Sequence, residues 1–144
     1  MLKTRLQHPE ILAALAASGH FSQVLIADGN FPVAGNRGPH ARVVHLNLAP
    51  GMLDALTVLD VLLEAVPVQA ATVMAPPADY TPPLFQLYRD RLGPTVGWLE
   101  MERWSFYEKI ASPRTTLMIA TGEQRRFANL LLEVGVVKLA TEGF

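Results

Sequence analysis

Apolar positions along the chain alternate between helical and extended spacing. Ile11, Leu12, Leu15 and Ala16 follow Pro9-Glu10 at helical intervals, and Gly19 supplies a stop. Gln23 to Asp28 is instead an apolar run of strand length, and the stretch 29–39, with three glycines and two prolines, reads as a loop. Ala41 to Leu46 predicts a second strand, and Ala49-Pro50-Gly51 a turn. From Met52 to Ala65, Leu53, Leu56, Val58, Leu59, Leu62 and Leu63 make the broad apolar face of a helix. Ala70 to Met74 predicts a third strand and Pro76 to Pro83 a proline-rich loop. Pro83 to Leu92 follows as an amphipathic helix, and Val96 to Met101 as a weak strand. Trp104 to Ile110 predicts a short helix and Thr115 to Ala120 a strand rich in β-branched residues. Leu130 to Val137 carries both signals. The leucines suit a helix, but Val134, Val136 and Val137 around Gly135 favour a strand, which is the reading adopted. This alternation predicts an α/β sandwich with helices flanking a parallel or mixed sheet.

At 144 residues the chain is expected to form one domain, 1–144, with no internal repeat and no linker. Half of its residues are hydrophobic, which fills a core and points to apolar subunit interfaces as well. The net charge is −1 and basic residues are scattered, so nucleic acid is not an expected partner. The absence of cysteine excludes disulfides, thiolate catalysis and cysteine-ligated zinc. The apolar stretch 58–68 is broken by Asp60 and Glu64, so no membrane span is expected. The charged N-terminus has no signal-peptide core, which makes the cytoplasm the expected location.

Several residues carry candidate chemistry. Asp28 ends an apolar strand just before a glycine-rich loop. A carboxylate there either caps the turn or accepts hydrogen bonds from a ligand's hydroxyls. His20 follows Gly19 at the end of the first helix, where a proton donor is favoured and where a surface histidine is equally at home. His8 precedes that helix and is expected to be solvated, His40 could line a pocket, and His45 lies in a strand. No pair has the spacing of a helical metal site, and no metal or cofactor is expected. Arg103 offers a planar fork of donors, although pairing with Glu100 or Glu102 on the surface would also occupy it. The 29–38 loop lacks a phosphate-binding glycine pattern and reads as a pocket wall. The serines lack a nucleophile elbow.

Four stretches recur in the same order in one family of sugar-handling proteins. They are Met1-Leu2-Lys3-Thr4, Gly19-His20 with Ala27-Asp28-Gly29-Asn30-Phe31-Pro32, Arg103-Trp104-Ser105-Phe106-Tyr107-Glu108, and Thr121-Gly122-Glu123 through Phe127-Ala128-Asn129 to Gly135-Val136. On these motifs the chain resembles the D-ribose pyranase / L-fucose mutarotase family, the fucose branch more than the ribose branch. The resemblance implies a three-layer α/β sandwich and a cofactor-independent isomerase. Such an enzyme opens and recloses the ring of a reducing monosaccharide by acid/base catalysis. It makes His20 the catalytic acid/base and Asp28, Arg103, Phe127 and Asn129 the sugar contacts, with Asp28 or a water as the opposing proton acceptor. It also implies a homo-oligomer, a decamer of stacked pentamers, with sugar sites near subunit boundaries. Two positions depart from the family pattern: Phe127 stands where tyrosine is usual, and Asn30 where fucose-branch members often carry histidine. The missing phenol leaves a non-catalytic sugar-binding protein, or a ribose-type pyranase, as the alternative.

Overall fold

The computed structural model describes residues 1–142. The first helix, α1 (Pro9–Ala17), starts where the His8 imidazole turns back to accept from the Ile11 N–H at 3.4 Å. His8 is thus an N-cap rather than the solvated residue expected from sequence. Ser18 closes the helix and bonds back to Ala14 through its hydroxyl, so the helix ends before Gly19.

Strands β1 (Gln23–Ala27), β2 (Arg42–His45), β3 (Val68–Met74), β4 (Gly97–Met101), β5 (Thr115–Ala120) and β6 (Leu130–Val134) form one sheet. Their order is β2-β5-β1-β6-β3-β4. The pairs β1–β5, β2–β5 and β3–β4 are parallel, while β6 runs antiparallel to both β1 and β3. The sheet is therefore mixed, with β6 reversed against all the others. Of the 130–137 stretch read as a strand, Leu130–Val134 forms β6, and Val136 and Val137 lie beyond its end.

All five residues of β1 are buried. Successive side chains of a strand point to opposite faces, so both faces of the sheet centre are covered. Helices supply the cover. The strand β5 packs against α1, β1 against α2 (Ala55–Leu63), and β3 against α4 (Arg103–Ile110), while α3 (Pro83–Leu92) lies on α2. This is the three-layer α/β sandwich. Val24, Leu25 and Ile26 are fully enclosed, and such side chains contribute ~1.5–3 kcal/mol each.

Element ends follow local capping chemistry. The helix α2 begins at Ala55, not at Met52, because the Asp54 carboxylate accepts from the Thr57 N–H at 2.8 Å. Pro82 precedes α3, and Gly93 at φ +86° ends it. A short 3₁₀ turn, Ala140–Glu142, closes the described chain. Among the described residues no helix is long and apolar enough to cross a membrane.

Candidate functional site

The five like-oriented strands deliver their C-terminal ends to one edge of the sheet, and the reversed β6 starts there. Ligand crevices of open α/β sheets form at this edge. Asp28 leaves β1 there, Met74 ends β3, Arg103 opens α4 just beyond β4, and Phe127 and Asn129 lead into β6. These residues line a cleft of about 250 Å³, together with Asn30, Phe31, Tyr107 and Arg126. Asp28, Arg103, Phe127 and Asn129, far apart in sequence, thus share one cavity.

Asp28 is buried. Burial pushes its carboxyl above the ordinary value, and the nearby Glu123 charge adds to this, against hydrogen bonds from the Asn30, Ala128 and Phe31 backbone. The Asn30 N–H donates to it at 2.9 Å. This is the turn-capping bond the sequence allowed, and it coexists with a place in the cleft. The Asp28 N–H donates to Asn129 Oδ1 at 2.7 Å. That bond fixes the Asn129 amide, and its Nδ2 makes no hydrogen bond to any described residue, which leaves a donor for a ligand's hydroxyl.

Phe127 is held at φ +59°, in the left-handed region that a phenylalanine rarely adopts. The buried Tyr88 hydroxyl anchors this loop by donating to the Ala128 carbonyl at 2.7 Å, and burial pushes its acidity well below that of an ordinary phenol. The Arg126 guanidinium lies 5.3 Å and 5.5 Å from the ring centroids of Tyr80 and Phe127. Strained residues of this kind concentrate at functional sites.

On the opposite wall, Glu102 caps α4 by accepting from Trp104 and Ser105, which hold its carboxyl below the usual range. Glu102 makes no salt bridge to Arg103, although the Arg103 charge contributes to lowering its carboxyl, and Arg103 lines the cleft. The 29–38 loop is the expected wall: Phe31 meets the Tyr107 ring edge-on at 5.1 Å, and Asn36 donates to the Tyr107 carbonyl.

A larger hollow of about 420 Å³ adjoins the cleft, bounded by Gly29, Asn47, Pro50 and Gln124. Its only ionisable lining residue, Glu123, is engaged by Arg125 Nε at 2.7 Å and Nη2 at 3.0 Å and by the Ala55 N–H at 3.1 Å. Burial opposes ionisation of Glu123, but these donors outweigh it and hold the carboxyl at about 2. It is a structural brace, not a proton carrier. Gly122 beside it has no alternative, since a Cβ there would stand 2.5 Å from the Met52 carbonyl.

His20 is the one sequence-derived site residue that lies elsewhere. It precedes β1, whereas Asp28 follows it. Five strand residues at ~3.3 Å each separate them by roughly 17 Å. His20 is exposed, stacks on Phe21 at 3.8 Å and contacts Gln69 at the start of β3. Among the described residues Phe21 is the other non-glycine residue at positive φ, +71°. His40 meets the Pro113 carbonyl, and His45 lines a depression beside the 31–35 loop that shares Asp28 and Phe31 with the cleft. Sequence reasoning gave no role to Met74, Tyr88 or Arg126. Arg126 adjoins the aromatic-x-Asn element, but nothing in the sequence marked the other two. Among the described residues no group of three or more His, Cys, Asp or Glu could hold a metal ion.

The model of the RbsD / FucU transport protein family matches residues 1–137. A D-ribose pyranase of Pseudomonas syringae pv. tomato is 31% identical over 144 residues, covering 95% of this chain and 99% of the relative. The solved FucU of Bifidobacterium longum is 31% identical, covers 91% of this chain and 95% of its own, and has a TM-score of 0.71. The fucose mutarotase of Streptococcus pneumoniae, solved with L-fucose, shares the fold at a TM-score of 0.75 and 24% identity, covering 91% and 94% of the two chains.

Proposed function

The chain belongs to the RbsD / FucU family, and from that premise we propose that it is a cofactor-independent isomerase that opens and recloses the ring of a reducing monosaccharide. The observation that carries this reading is the convergence of Asp28, Arg103 and Asn129 with an aromatic floor, Phe127, in one sugar-sized cleft.

Ring opening needs two proton transfers. One group gives a proton to the ring oxygen as its bond to the anomeric carbon breaks. A second takes the proton of the anomeric hydroxyl, whose electrons form the carbonyl. The aldehyde rotates, both transfers reverse, and the ring closes on the other face. Arg103 and the Asn129 amide orient the hydroxyls. Asp28, with its carboxyl raised by burial, is suited to one transfer.

His20 is proposed for the other transfer, acting from a neighbouring copy of the chain. Its distance from the cleft of its own chain motivates this. So do exposed apolar residues, Leu48, Met52, Trp104 and Val137, of a kind that self-association covers. A closed ring or stacked ring, such as a decamer of pentamers, would place the sheet end of one copy against the cleft of the next.

The test is saturation transfer between anomer signals in proton NMR across a panel of reducing sugars, L-fucose and D-ribose included. Accelerated exchange of at least one sugar is expected. Binding without exchange would instead support a non-catalytic sugar-binding protein, a reading favoured by the absent phenol at Phe127. In the same assay Phe127→Tyr, which adds back a hydroxyl in the cleft, should raise turnover or widen the sugar range. Loss of activity on the best sugar would show that the cleft requires the bare ring.

A further inference from the structure

At the sheet edge opposite the cleft, His20, Gln69 and Glu133 form a chain of two hydrogen bonds. Gln69 Nε2 lies 2.6 Å from Glu133 Oε1, and Gln69 Oε1 lies 2.9 Å from His20 Nε2. Both Gln69 and Glu133 are half-buried, at the start of β3 and the end of β6. Ala70 pairs with Glu133, and the register shifts between Val68 and Ala70, so Gln69 sits at an irregularity of the ladder next to Glu133.

The direction of each bond follows from which atoms carry protons. A carboxylate has none to give, so the amide must turn its NH₂ toward Glu133. The amide oxygen is thereby turned toward His20 and can only accept. The imidazole Nε2 must therefore carry a hydrogen. A neutral histidine has one N–H, so Nδ1 is left bare. Two further contacts hold the ring. It stacks on Phe21, which has the Arg114 guanidinium 5.9 Å from its centroid. Gly135 gives Gln69 its room, since a Cβ there would stand 3.3 Å from the Gln69 Cβ.

We infer that Gln69, oriented by Glu133, is a positioning residue that fixes His20 as its Nε2–H tautomer, so that Nδ1 is the atom that exchanges protons with the sugar. This rests on the reading of His20 as an acid/base. In the neutral state Nδ1 takes a proton, and in the cation it returns that proton, while Nε2 stays bonded to Gln69 throughout. An amide held this way does for the histidine what a carboxylate or carbonyl does elsewhere.

Nitrogen-15 NMR of the intact assembled protein reads the tautomer directly, with His20→Gln identifying the signals. The wild type should show Nε2–H. Gln69→Ala should let both tautomers populate and lower kcat by roughly 10-fold with KM unchanged, because Gln69 does not touch the sugar. Glu133→Lys supplies a donor where there was an acceptor. The amide should turn over and the Nδ1–H tautomer should appear. If that lysine perturbs folding, the exchanged pair Gln69→Glu with Glu133→Gln keeps an acceptor against Nε2 and should retain both the tautomer and turnover. An Nδ1–H wild type, or a tautomer and kcat both indifferent to Gln69→Ala, would overturn the inference. Full activity in His20→Gln alongside the predicted tautomer shifts would defeat the catalytic reading of His20 and leave the tautomer assignment standing.

Discussion

His20→Gln should slow sugar ring exchange by roughly 10²–10⁴-fold, the usual size of a lost positioned acid/base. The fold should not change, because the ring is exposed and its side-chain hydrogen bond is a single one, to the half-buried Gln69 amide. Sugar affinity should stay close to wild type, since the proposed sugar contacts, Asp28, Arg103 and Asn129, lie at the other end of the sheet. Anomer-exchange NMR gives the rate and titration calorimetry the affinity. A variant that binds sugar normally and exchanges it at the wild-type rate would remove His20 from the mechanism. A variant that no longer binds would make His20 a ligand contact instead.

Glu123→Ala should have the largest effect on stability. Its carboxylate joins two parts of the site edge, the N-terminus of α2 through Ala55 and its own loop through Arg125, while its backbone carbonyl, which alanine keeps, accepts from the Gly29 N–H beside Asp28. The sign of its pH dependence follows from the depressed carboxyl, 4.5 ordinarily and about 2 in the folded chain. Its contribution is fully present above the unfolded value and is lost as pH falls through the folded one. That difference corresponds to about 3 kcal/mol. The alanine variant should lose a similar amount at neutral pH, lowering Tm by roughly 6–12 °C for a chain of this length. It should also lose the steep fall in stability expected of the wild type between about pH 4.5 and pH 2. Asp28 acts in the opposite sense, since a raised carboxyl subtracts stability as pH rises past its unfolded value. Urea unfolding of both proteins across this pH range separates the two. An unchanged acid limb in Glu123→Ala would assign acid sensitivity to another group.

The parts of the fold legible in the sequence were those governed by local chemistry. Two prolines and a glycine bound α3, and the helix runs from Pro83 to Leu92 as its pattern predicts. Where a polar side chain decides the boundary, periodicity overran it. Leu53 matches the α2 face, but Asp54 caps the helix and leaves Leu53 outside, half-exposed. The place of β6 between β1 and β3 is set by pairing across long stretches of chain, which no local pattern encodes.

The same limit governed the site. The ordered motifs identify Asp28, Arg103, Phe127 and Asn129, and strand direction brings these four to one cleft. His20 and Asp28 are only eight residues apart in sequence. With a five-residue strand between them they lie at opposite ends of the sheet. Tyr88 was invisible because its role, one hydroxyl on the Ala128 carbonyl, depends on how α3 packs.

A working site is proposed to take His20 from one copy of the chain and Asp28 from another. Mixed assemblies of two inactive variants test it most directly. His20→Gln and Asp28→Asn, each purified alone, should be inactive in anomer exchange. Co-expressed in equal amounts and isolated as one assembly, they should recover about a quarter of wild-type activity, because random mixing gives that share of sites both intact groups. Mixed assemblies that remain inactive would contradict the account and place both residues' roles within a single copy of the chain.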